Sequence, residues 1–367
     1  MDKKPIDSSL HVTHVTSVHS RYDTRILENQ CVYLAANHKV SLFVTDGMPE
    51  ELYAGVSISS IYRARSKFLR LLKSFFLMPL ILLKKKSDIF HFHDPELLLA
   101  GLVLRISGRR VVFDVHEDYE FDLRQKDWLP TWMLKLAEHT YVGLIRICFP
   151  KFSAIITVTE KISSKLPGKV TVIKNYPRAS LIEKIEDSNR PYTFCYLGSI
   201  SIKRGLAEII ELAKQSREPM LLVGGFANIS DRIFFEQKAP ENIHHIGYVP
   251  SKKVSQYLIQ ARIGLHLVKD DTNLLEGIPV KVLEYVAHGM PVICSDSDAW
   301  RREFSHLPSC YFVNPSDVQG IIKVAKIISS IPHADLLAAQ NVLREKYSWE
   351  TQFSQLEDVY KKAMSCE

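Results

Sequence analysis

The chain has 367 residues, of which 24% are charged and 46% are apolar, and its formal net charge is +6 at pH 7. This composition excludes a disordered, collagen-like or low-complexity protein, and the length predicts two domains. So modest a charge does not by itself indicate a nucleic acid partner. The six dispersed cysteines include no Cys-x-x-Cys pair and predict buried thiols in a reducing compartment.

Short β-branched and aromatic runs alternate with helical patterns along the chain. The predicted strands are residues 10–18, 40–45, 89–93, 111–115, 154–158 and 170–173 in the first half, and 192–197, 220–223, 243–246, 263–268, 292–294 and 311–313 in the second. This alternation predicts an α/β protein with two doubly wound parallel sheets, in domains 1–178 and 191–344. The last segment, 345–367, has helical spacing and is predicted to pack back across the junction.

Polar side chains follow three predicted strands of the first half. The first strand leads into the loop Ser17-Val-His-Ser-Arg-Tyr-Asp-Thr-Arg25, and later strands end in Ile89-Phe-His-Phe-His-Asp94 and Val111-Val-Phe-Asp-Val-His-Glu-Asp118. Because ligands bind at the carboxyl ends of parallel strands, these side chains are candidates for contacts with an acceptor or a donor phosphate. The candidates on this acceptor side are His19, Asp23, His93 and Asp94. A solvated loop and structural histidines are the alternatives.

The segment from Arg63 to Lys86 contains eight basic residues and no acidic ones around an apolar body. Basic amphipathic helices lie on anionic membranes, so the segment predicts docking on such a surface. Nucleic acid is the rival partner, but no motif supports it. An ordinary helix covering the sheet is the structural alternative. The residues predicted to extend the same surface are Trp128, Trp132, Leu134 and Ile145.

Two observations predict where the protein resides. The first residues, Met-Asp-Lys-Lys-Pro-Ile-Asp-Ser-Ser, lack the apolar core of a signal peptide. The longest apolar run, residues 75–83, is far shorter than a membrane span. We therefore predict a cytoplasmic protein that is peripheral on the inner face of the cell membrane.

In the second half, a strand, a glycine turn and a helix start follow one another in Tyr196-Leu-Gly-Ser-Ile-Ser-Ile-Lys-Arg-Gly-Leu206. Arg204 at this turn can grip a diphosphate in bidentate fashion, and a charge-assisted hydrogen bond is worth about 1.5–3 kcal/mol. A solvated basic turn is the alternative.

The segment Glu276-Gly-Ile-Pro-Val-Lys-Val-Leu-Glu284 predicts a helix whose start can bind an anion. Pro279 suits the first turn and Gly289 the end, so a helix over residues 279–288 is expected. The amides that precede the helix start remain free for an anionic ligand, and they belong to Gly277 and Ile278.

The two glutamates of this segment suit a nucleotide sugar. Glu284 can accept hydrogen bonds from both hydroxyls of a ribose, and Glu276 can reach a sugar. From spacing alone, two solvated carboxylates are an equal alternative. With the Tyr-Val-Ala-His-Gly-Met-Pro-Val-Ile-Cys-Ser that follows, however, the pattern resembles the signature of glycosyltransferase family 4, retaining enzymes with the GT-B fold. The resemblance implies two Rossmann-like domains that face a central cleft.

The resemblance also implies residue roles. Glu276 is expected to hold the donor sugar and its developing positive charge, Glu284 the ribose and Arg204 the diphosphate. His116 matches a cleft histidine that hydrogen-bonds the transferred sugar, so His116 and Glu276 are the predicted catalytic residues. The predicted donor contacts are Gly198, Ser199, Lys203, Arg204, Tyr248, Val249, Gly277, Ile278, Pro279, Lys281 and Glu284.

The sequence departs from the commonest family pattern at three places. Pro279 and Lys281 stand between the two glutamates, Ser199 replaces an arginine of the phosphate-holding element, and the loop after the first strand has no glycine. Lys203 or Lys281 is expected to supply the missing positive charge. Tyr248 matches a position beside the nucleobase, with core packing as its alternative.

No metal ion and no other cofactor are expected. The triplet Asp296-Ser-Asp298 resembles the metal motif of the other transferase fold, but its place after a late strand predicts a solvated loop. In the GT-B fold, cations and helix ends stabilise the leaving diphosphate instead.

Together with these observations, the resemblance implies a retaining glycosyltransferase that moves a hexose or N-acetylhexosamine from a nucleotide-diphosphate sugar to a saccharide acceptor. A UDP-sugar is favoured over a GDP-sugar, and the basic segment favours a lipid-linked acceptor in the synthesis of cell-surface polysaccharide or glycolipid. One alternative is a sugar-nucleotide epimerase of the same fold, which would isomerise its substrate without an acceptor. The other is a non-catalytic subunit that binds a nucleotide sugar.

Overall fold

Two β-sheets organise the chain into two units. The computed structural model describes residues 9–63, 66–116, 119, 130–182, 190–250, 253–269 and 279–365. Unit 1 comprises Met1–Asn175 and Gln352–Glu367, and unit 2 comprises Tyr176–Thr351. No helix within the described ranges is long and apolar enough to cross a bilayer.

The sheet of unit 1 has eight strands in the order β3-β4-β2-β1-β5-β6-β7-β8. Every neighbouring pair is parallel except β3 and β4. The carboxyl ends of β1, β5 and β6 are therefore adjacent. The strands are β1 (His11–Val15), β2 (Lys39–Val44), β3 (Glu51–Tyr53), β4 (Val56–Ser60), β5 (Ile89–Phe92), β6 (Arg110–Val115), β7 (Ala154–Thr157) and β8 (Val170–Val172).

Helices bury the apolar side chains of this sheet. Phe90, Phe92 and Phe113 are buried against Leu104 and Phe149, and burying a side chain of this kind contributes roughly 1.5–3 kcal/mol. The described helices of unit 1 begin with a π-helix (Thr24–Cys31) that runs into α1 (Val32–Ala35), followed by α2 (Lys67–Leu83), α3 (Leu98–Ile106), α4 (Thr131–Cys148) and α5 (Glu160–Lys165).

The sheet of unit 2 has six parallel strands in the order β11-β10-β9-β12-β13-β14. They are β9 (Tyr192–Leu197), β10 (Met220–Val223), β11 (Ile243–Gly247), β12 (Ala261–His266), β13 (Val292–Ser295) and β14 (Cys310–Val313). Side chains alternate along β9, with Phe194 and Tyr196 in one core cluster and Cys195 and Leu197 in another. Both faces of the sheet are therefore covered.

Unit 2 contains most of the remaining described helices. They are α6 (Leu206–Ser216), α7 (Ile229–Lys238), α8 (Ser255–Leu258), α9 (Val280–Ala287), α10 (Asp298–Phe304), α11 (Val318–Ile328), α12 (His333–Lys346) and α13 (Trp349–Ser365). From Gln352 onward, α13 belongs to unit 1.

All strands predicted from sequence are present, but β3 and β4 were not predicted. They form a hairpin around Ala54 and Gly55, whose φ angles of 45° and 83° are both positive. Positive φ at both central residues is the geometry of a two-residue β-hairpin turn, for which Asn-Gly rather than Ala-Gly is the strong signal. The antiparallel β3 makes the edge of the first sheet an exception to the predicted parallel arrangement.

Candidate active site

Helix α9, predicted around the second glutamate, is fixed to the sheet of unit 2 by one face. The Tyr285 hydroxyl accepts a hydrogen bond from the Leu197 amide (2.6 Å) and donates one to the Leu265 carbonyl (3.3 Å). These bonds hold α9 against the ends of β9 and β12. The buried side chains of the helix are Val282, Leu283, Tyr285, Val286 and Ala287.

The loop before α9 was predicted to supply donor contacts. Glu276, Gly277 and Ile278 lie outside the described residues. Pro279 stands immediately before the helix, with φ of −76° and ψ of 104°, rather than within its first turn. It therefore precedes the helix as its N-cap.

Lys281 packs its side chain against the turn after β9. Its Nζ lies 5.0 Å from the centroid of the Tyr196 ring. A Cβ at Gly198 would overlap Nζ, so a larger residue there would force the lysine side chain to move. Nζ is buried and has no hydrogen-bond partner among the residues that the structure describes. A buried, unpaired ammonium is costly unless an anion reaches it.

Three ionisable side chains, Arg204, Glu284 and His266, interact electrostatically with Lys281. Burial, aided by Arg204 and opposed by Glu284, lowers the pKa of Lys281 to about 8. Burial raises the pKa of Glu284 to about 7, although Lys281 opposes the shift. Burial, together with Lys281 and Arg204, lowers the pKa of His266 to about 3. Arg204 thus disfavours the charged form of Lys281, and both disfavour a charged His266, so an anion placed among them would stabilise the positive charges.

The other predicted phosphate contacts lie on the turn between β9 and α6. The Ser199 carbonyl accepts a hydrogen bond from the Tyr196 hydroxyl (2.7 Å). Arg204 is half-buried in a short 3-10 helix, Ile202–Arg204, whereas the neighbouring Lys203 is exposed. Of the two lysines predicted to replace the missing arginine, Lys281 is the enclosed one, and Arg204 contributes to lowering its pKa.

Two further predictions for unit 2 concern its surface. Tyr248 is 81% exposed, so its alternative of core packing is excluded, while Val249 packs against the core. In the Asp-x-Asp triplet, Asp296 pairs with Arg301 and both side chains are largely exposed. Asp296 and Ser297 therefore lie in the loop expected from their position, whereas Asp298 begins α10.

In unit 1, the structure brings together His116 and three of the predicted acceptor-side residues. The Nε2 atoms of His116 and His19 are 2.8 Å apart. His19 also lies 3.3 Å from Asp94 through Nε2 and 3.5 Å from Asp23 through Nδ1. The loop after β1, which has no glycine, thus places His19 beside His116, the side chain predicted to be catalytic.

The sequence reading missed Asp114, the fully buried carboxylate behind His116. Arg25 donates to both of its oxygens at 3.0 Å, and the Gln30 amide donates to Oδ2 at 2.9 Å. Burial raises the pKa of Asp114, but Arg25 and the adjacent histidines outweigh it and hold the pKa well below its usual value. Arg25 and Gln30 are five residues apart in the π-helix, whose i→i+5 bonding brings such residues toward one side.

His93 and Asp94 were predicted to contact an acceptor, and their burial argues against that role. Both side chains are fully enclosed. His93 Nε2 lies 3.0 Å from His14 Nδ1, and Asp94 accepts hydrogen bonds from Thr16 (2.8 Å) and the Ser17 amide (2.6 Å). Asp94 therefore shapes the loop after β1, and His93 belongs to the interior.

Also missed was a cluster of buried rings under the sheet of unit 1. His14 and His91 are register partners on β1 and β5, and His93 follows two residues later on the same face. The Tyr360 hydroxyl from α13 lies 2.6 Å from His91 Nδ1 and 3.3 Å from His14 Nε2. The alternation His-Phe-His at 91–93 is the sequence signal that indicates such a cluster.

Among the described residues, two groups in unit 1 have ligand atoms within 4.8 Å of one another: His14 with His91 and His93, and His93 with Asp114 and His116. Their donor atoms fit a metal poorly. His14 and His93 hydrogen-bond each other, and Arg25 occupies both oxygens of Asp114. A divalent cation bound to Asp114 would lie beside that guanidinium, whose charge repels it.

The surface of α2 exposes apolar side chains, as predicted for the basic segment. Phe68 and Phe76 are 68% and 70% exposed, and Trp132 on α4 is 66% exposed. Leu134 is half-buried and Ile145 is buried in the core, so Ile145 does not extend this surface. Trp128 lies outside the described residues.

Comparisons with known proteins identify the family and the fold. Residues 23–175 match the family model "Glycosyltransferase Family 4", and residues 178–337 match "Glycosyl transferases group 1". No curated protein matches the chain significantly in sequence.

Solved structures are similar over nearly the whole chain. A sucrose-phosphate synthase from Thermosynechococcus elongatus has 13% identity and a TM-score of 0.75, covering 98% of this chain and 100% of its own. Anabaena HepE in complex with UDP and glucose has 11% identity and a TM-score of 0.68, covering 96% and 99%. An E. coli trehalose-6-phosphate protein bound with UDP-2-fluoro glucose has 12% identity and a TM-score of 0.66, covering 97% and 99%. These likenesses show the fold.

Proposed function

We propose that this chain, which belongs to glycosyltransferase family 4 and has the GT-B fold, transfers a hexose or N-acetylhexosamine from a nucleotide-diphosphate sugar to a saccharide acceptor with retention. The observation that carries the proposal is the buried Lys281 ammonium, which faces the glycine turn beside Arg204 without a hydrogen-bond partner among the described residues. A diphosphate would supply the missing anion. The UDP complex of the Anabaena neighbour favours a UDP-sugar over a GDP-sugar.

Each residue of unit 2 then has a distinct task. Arg204 and Lys281 bind the diphosphate and stabilise it as it leaves. Lys281 supplies the positive charge that is missing because Ser199 stands at the position of the usual arginine. Glu284 accepts hydrogen bonds from the ribose, and Glu276 holds the transferred sugar. The exposed Tyr248 is available to a nucleobase. Because these cations already supply positive charge, the reaction needs no metal.

The tasks of unit 1 concern the sugar hydroxyls. Asp114 lies 3.9 Å from His116 Nδ1, which favours a hydrogen on that nitrogen and leaves Nε2 as an acceptor. We assign His116 Nε2 to a hydroxyl of the transferred sugar. His19 Nε2 lies 2.8 Å from the same nitrogen, so His19 would turn away when the hydroxyl binds and become a second sugar contact.

A lipid-linked acceptor is part of the proposal. Exposed Phe68 and Phe76 on α2 can enter the headgroup region while neighbouring lysines and arginines contact anionic lipid. Each basic residue near such a surface adds roughly 1 kcal/mol. The protein would then act at the cytoplasmic face of the cell membrane, in the synthesis of cell-surface polysaccharide or glycolipid.

The deciding experiment incubates the protein with UDP- and GDP-linked hexoses and N-acetylhexosamines, with and without saccharide acceptors. Transfer with retained anomeric configuration, undiminished by a chelator, supports the proposal. Isomerised donor in the absence of acceptor indicates the epimerase instead. Donor binding without turnover on any acceptor indicates a binding subunit.

Sedimentation with vesicles tests the membrane surface. Binding to vesicles containing phosphatidylserine but not to neutral vesicles is expected, and replacing Phe68 and Phe76 by serine should abolish it. A matched control replaces Ile229 and Ile233, exposed on α7, by serine and should leave binding intact. Equal sedimentation of all three proteins would contradict membrane docking.

A further inference from the structure

A chain of buried rings connects α13 to the carboxylate behind His116. His91 Nδ1 lies 2.6 Å from the Tyr360 hydroxyl, which lies 3.3 Å from His14 Nε2. His14 Nδ1 lies 3.0 Å from His93 Nε2. On its far side, His93 Nδ1 lies 3.6 Å from Asp114 Oδ2. Three imidazoles and one phenol thus form an unbroken sequence of contacts in the interior of unit 1.

The positions of the hydrogens in this chain follow from the charge at its end. Burial lowers the pKa of the histidines in the chain, that of His93 to about 3, so each ring is neutral with a single N–H. A bare His93 Nδ1 would turn its lone pair toward the Asp114 anion, whereas Nδ1–H turns a positive dipole toward it. The second arrangement is favoured in a dry interior.

With the hydrogen of His93 on Nδ1, the rest of the chain has one direction. His93 Nε2 must accept, so His14 donates through Nδ1. His14 Nε2 must then accept, so the Tyr360 hydroxyl donates to it. The Tyr360 oxygen in turn accepts from His91 Nδ1, and every hydrogen bond has one donor and one acceptor.

Asp114 also influences which nitrogen of His116 carries the hydrogen. Arg25 and Gln30 fix the carboxylate, with its Oδ2 toward His93 and its Oδ1 3.9 Å from His116 Nδ1. The anion therefore favours Nδ1–H on His116 as well. Its Nε2 is left with a lone pair, which faces His19 Nε2 at 2.8 Å. A hydrogen-bond donor such as a sugar hydroxyl suits the same lone pair.

We propose that Tyr360 is a positioning residue for His116: its hydroxyl is the donor that His14 Nε2 requires in the direction favoured by Asp114, and it thereby helps to keep the His116 hydrogen on Nδ1. Without the hydroxyl, His14 Nε2 loses its donor, so the direction favoured by Asp114 is less stabilised, and the reverse direction, in which His93 turns a lone pair toward Asp114, gains population. The field of the carboxylate at His116 then changes. The inference rests on the proposed role of His116 in sugar transfer, but its first measurement does not depend on activity.

The test compares Tyr360→Phe, which keeps the ring and removes the hydroxyl, with the wild-type protein. Nitrogen-15 spectra of histidine-labelled protein distinguish the two tautomers, and His116→Gln assigns the relevant signals. We expect Nδ1–H on His116 in the wild type and a mixture of tautomers in Tyr360→Phe. Where transfer is measurable, kcat should fall roughly tenfold, equivalent to about 1.4 kcal/mol, with little change in KM.

Tyr347→Phe is the matched control. Tyr347 is also buried, its hydroxyl donates to the Glu303 carbonyl at 2.8 Å, and it lies in unit 2. It should lose comparable stability while leaving the His116 spectrum and kcat unchanged.

Three results would overturn the proposal. The first is Nε2–H on His116 in the wild type. The second is an unchanged His116 tautomer in Tyr360→Phe, even with a lower kcat, because Tyr360 would then act through packing. The third is a stoichiometric metal ion in purified protein that is lost on His14→Gln, because the ring nitrogens would be ligands. A wild-type protein that transfers no sugar would refute the proposed function and leave the tautomer comparison intact.

Discussion

Asp114 in unit 1 and Lys281 in unit 2 are both enclosed charges, but their surroundings differ. Asp114 receives two hydrogen bonds from Arg25 and one from Gln30. Lys281 rests on the face of Tyr196, and its Nζ has no hydrogen-bond partner among the described residues. The first charge is satisfied by the protein, and the second is available for a ligand.

The difference teaches how to separate a structural charge from a functional one. The pKa of Asp114 is held well below its usual value, so the fold favours the charged carboxylate. The pKa of Lys281 is lowered to about 8, so the fold disfavours the charged ammonium. A side chain that the fold destabilises in its ionised form, beside an open glycine turn, is a functional candidate.

Asp114→Asn should have the largest effect on stability. It leaves the Arg25 guanidinium buried without its counter-ion, and breaking a buried pair costs about 3–5 kcal/mol. Urea denaturation should show this loss in the free energy of unfolding. Asp296→Asn, which breaks the exposed pair with Arg301, is the control and should leave the unfolding midpoint unchanged. Equal midpoints for both variants would mean that Asp114 is not satisfied as described.

Lys281→Met should separate binding from stability. Donor affinity is expected to fall roughly 10- to 100-fold, because one charge-assisted contact worth about 1.5–3 kcal/mol is lost. The free energy of unfolding should stay constant or rise, since a buried unpaired charge is removed. Titration calorimetry with UDP and urea denaturation measure the two quantities. Lys203→Met should change neither, and a matching loss of affinity there would reverse the choice between the two lysines.

Gly198→Ala tests the fit between the glycine turn and the lysine. The backbone φ of 117° is unfavourable for alanine, and the added Cβ would meet the Lys281 ammonium. A loss of about 1–3 kcal/mol in the free energy of unfolding is expected. Part of it should return in the Gly198→Ala, Lys281→Ala double variant, because the overlap with the long side chain is removed and only the backbone strain then remains. Strict additivity would show that the two residues do not touch.

The loss of donor affinity at alkaline pH is expected to be the smallest of these effects. The free site loses the Lys281 proton as pH rises through about 8, whereas a bound diphosphate retains it. Affinity is therefore full below that pKa and should be roughly tenfold lower at pH 9 than at pH 7. Lys281→Met should show a flat profile over the same range in calorimetry. A sloping profile in that variant would assign the titration to another group.

Much of the fold could be predicted because buried parallel strands are continuous apolar runs, such as Phe194-Cys-Tyr-Leu197. The hairpin of β3 and β4 could not, since its strands are short and its turn is Ala-Gly. In unit 2, the sequence offered Arg204, Lys281 and Glu284 because they lie in one motif or beside a glycine turn. The sequence left Lys203 and Lys281 as equal candidates for the missing positive charge, and only their different burial in the structure distinguishes them.

In unit 1, the sequence predicted His116 but not the buried residues behind it. Asp114 lies inside an apolar strand, and its partner Arg25 is 89 residues away in sequence. His14 and Tyr360, which are 346 residues apart, meet only through the fold. Local patterns do not reveal such pairs, because the pairing depends on strand order and on the path of the last helix.

The π-helix at Thr24–Cys31 makes the length of this segment as important as its composition. At the ordinary α-helical repeat, residues five apart diverge by about 140°, so Arg25 and Gln30 would not both face Asp114. A single-residue deletion between them leaves a spacing of four, which an α-helix brings to one face. Such a deletion should therefore keep both contacts, whereas an insertion should turn one of the two side chains away from Asp114.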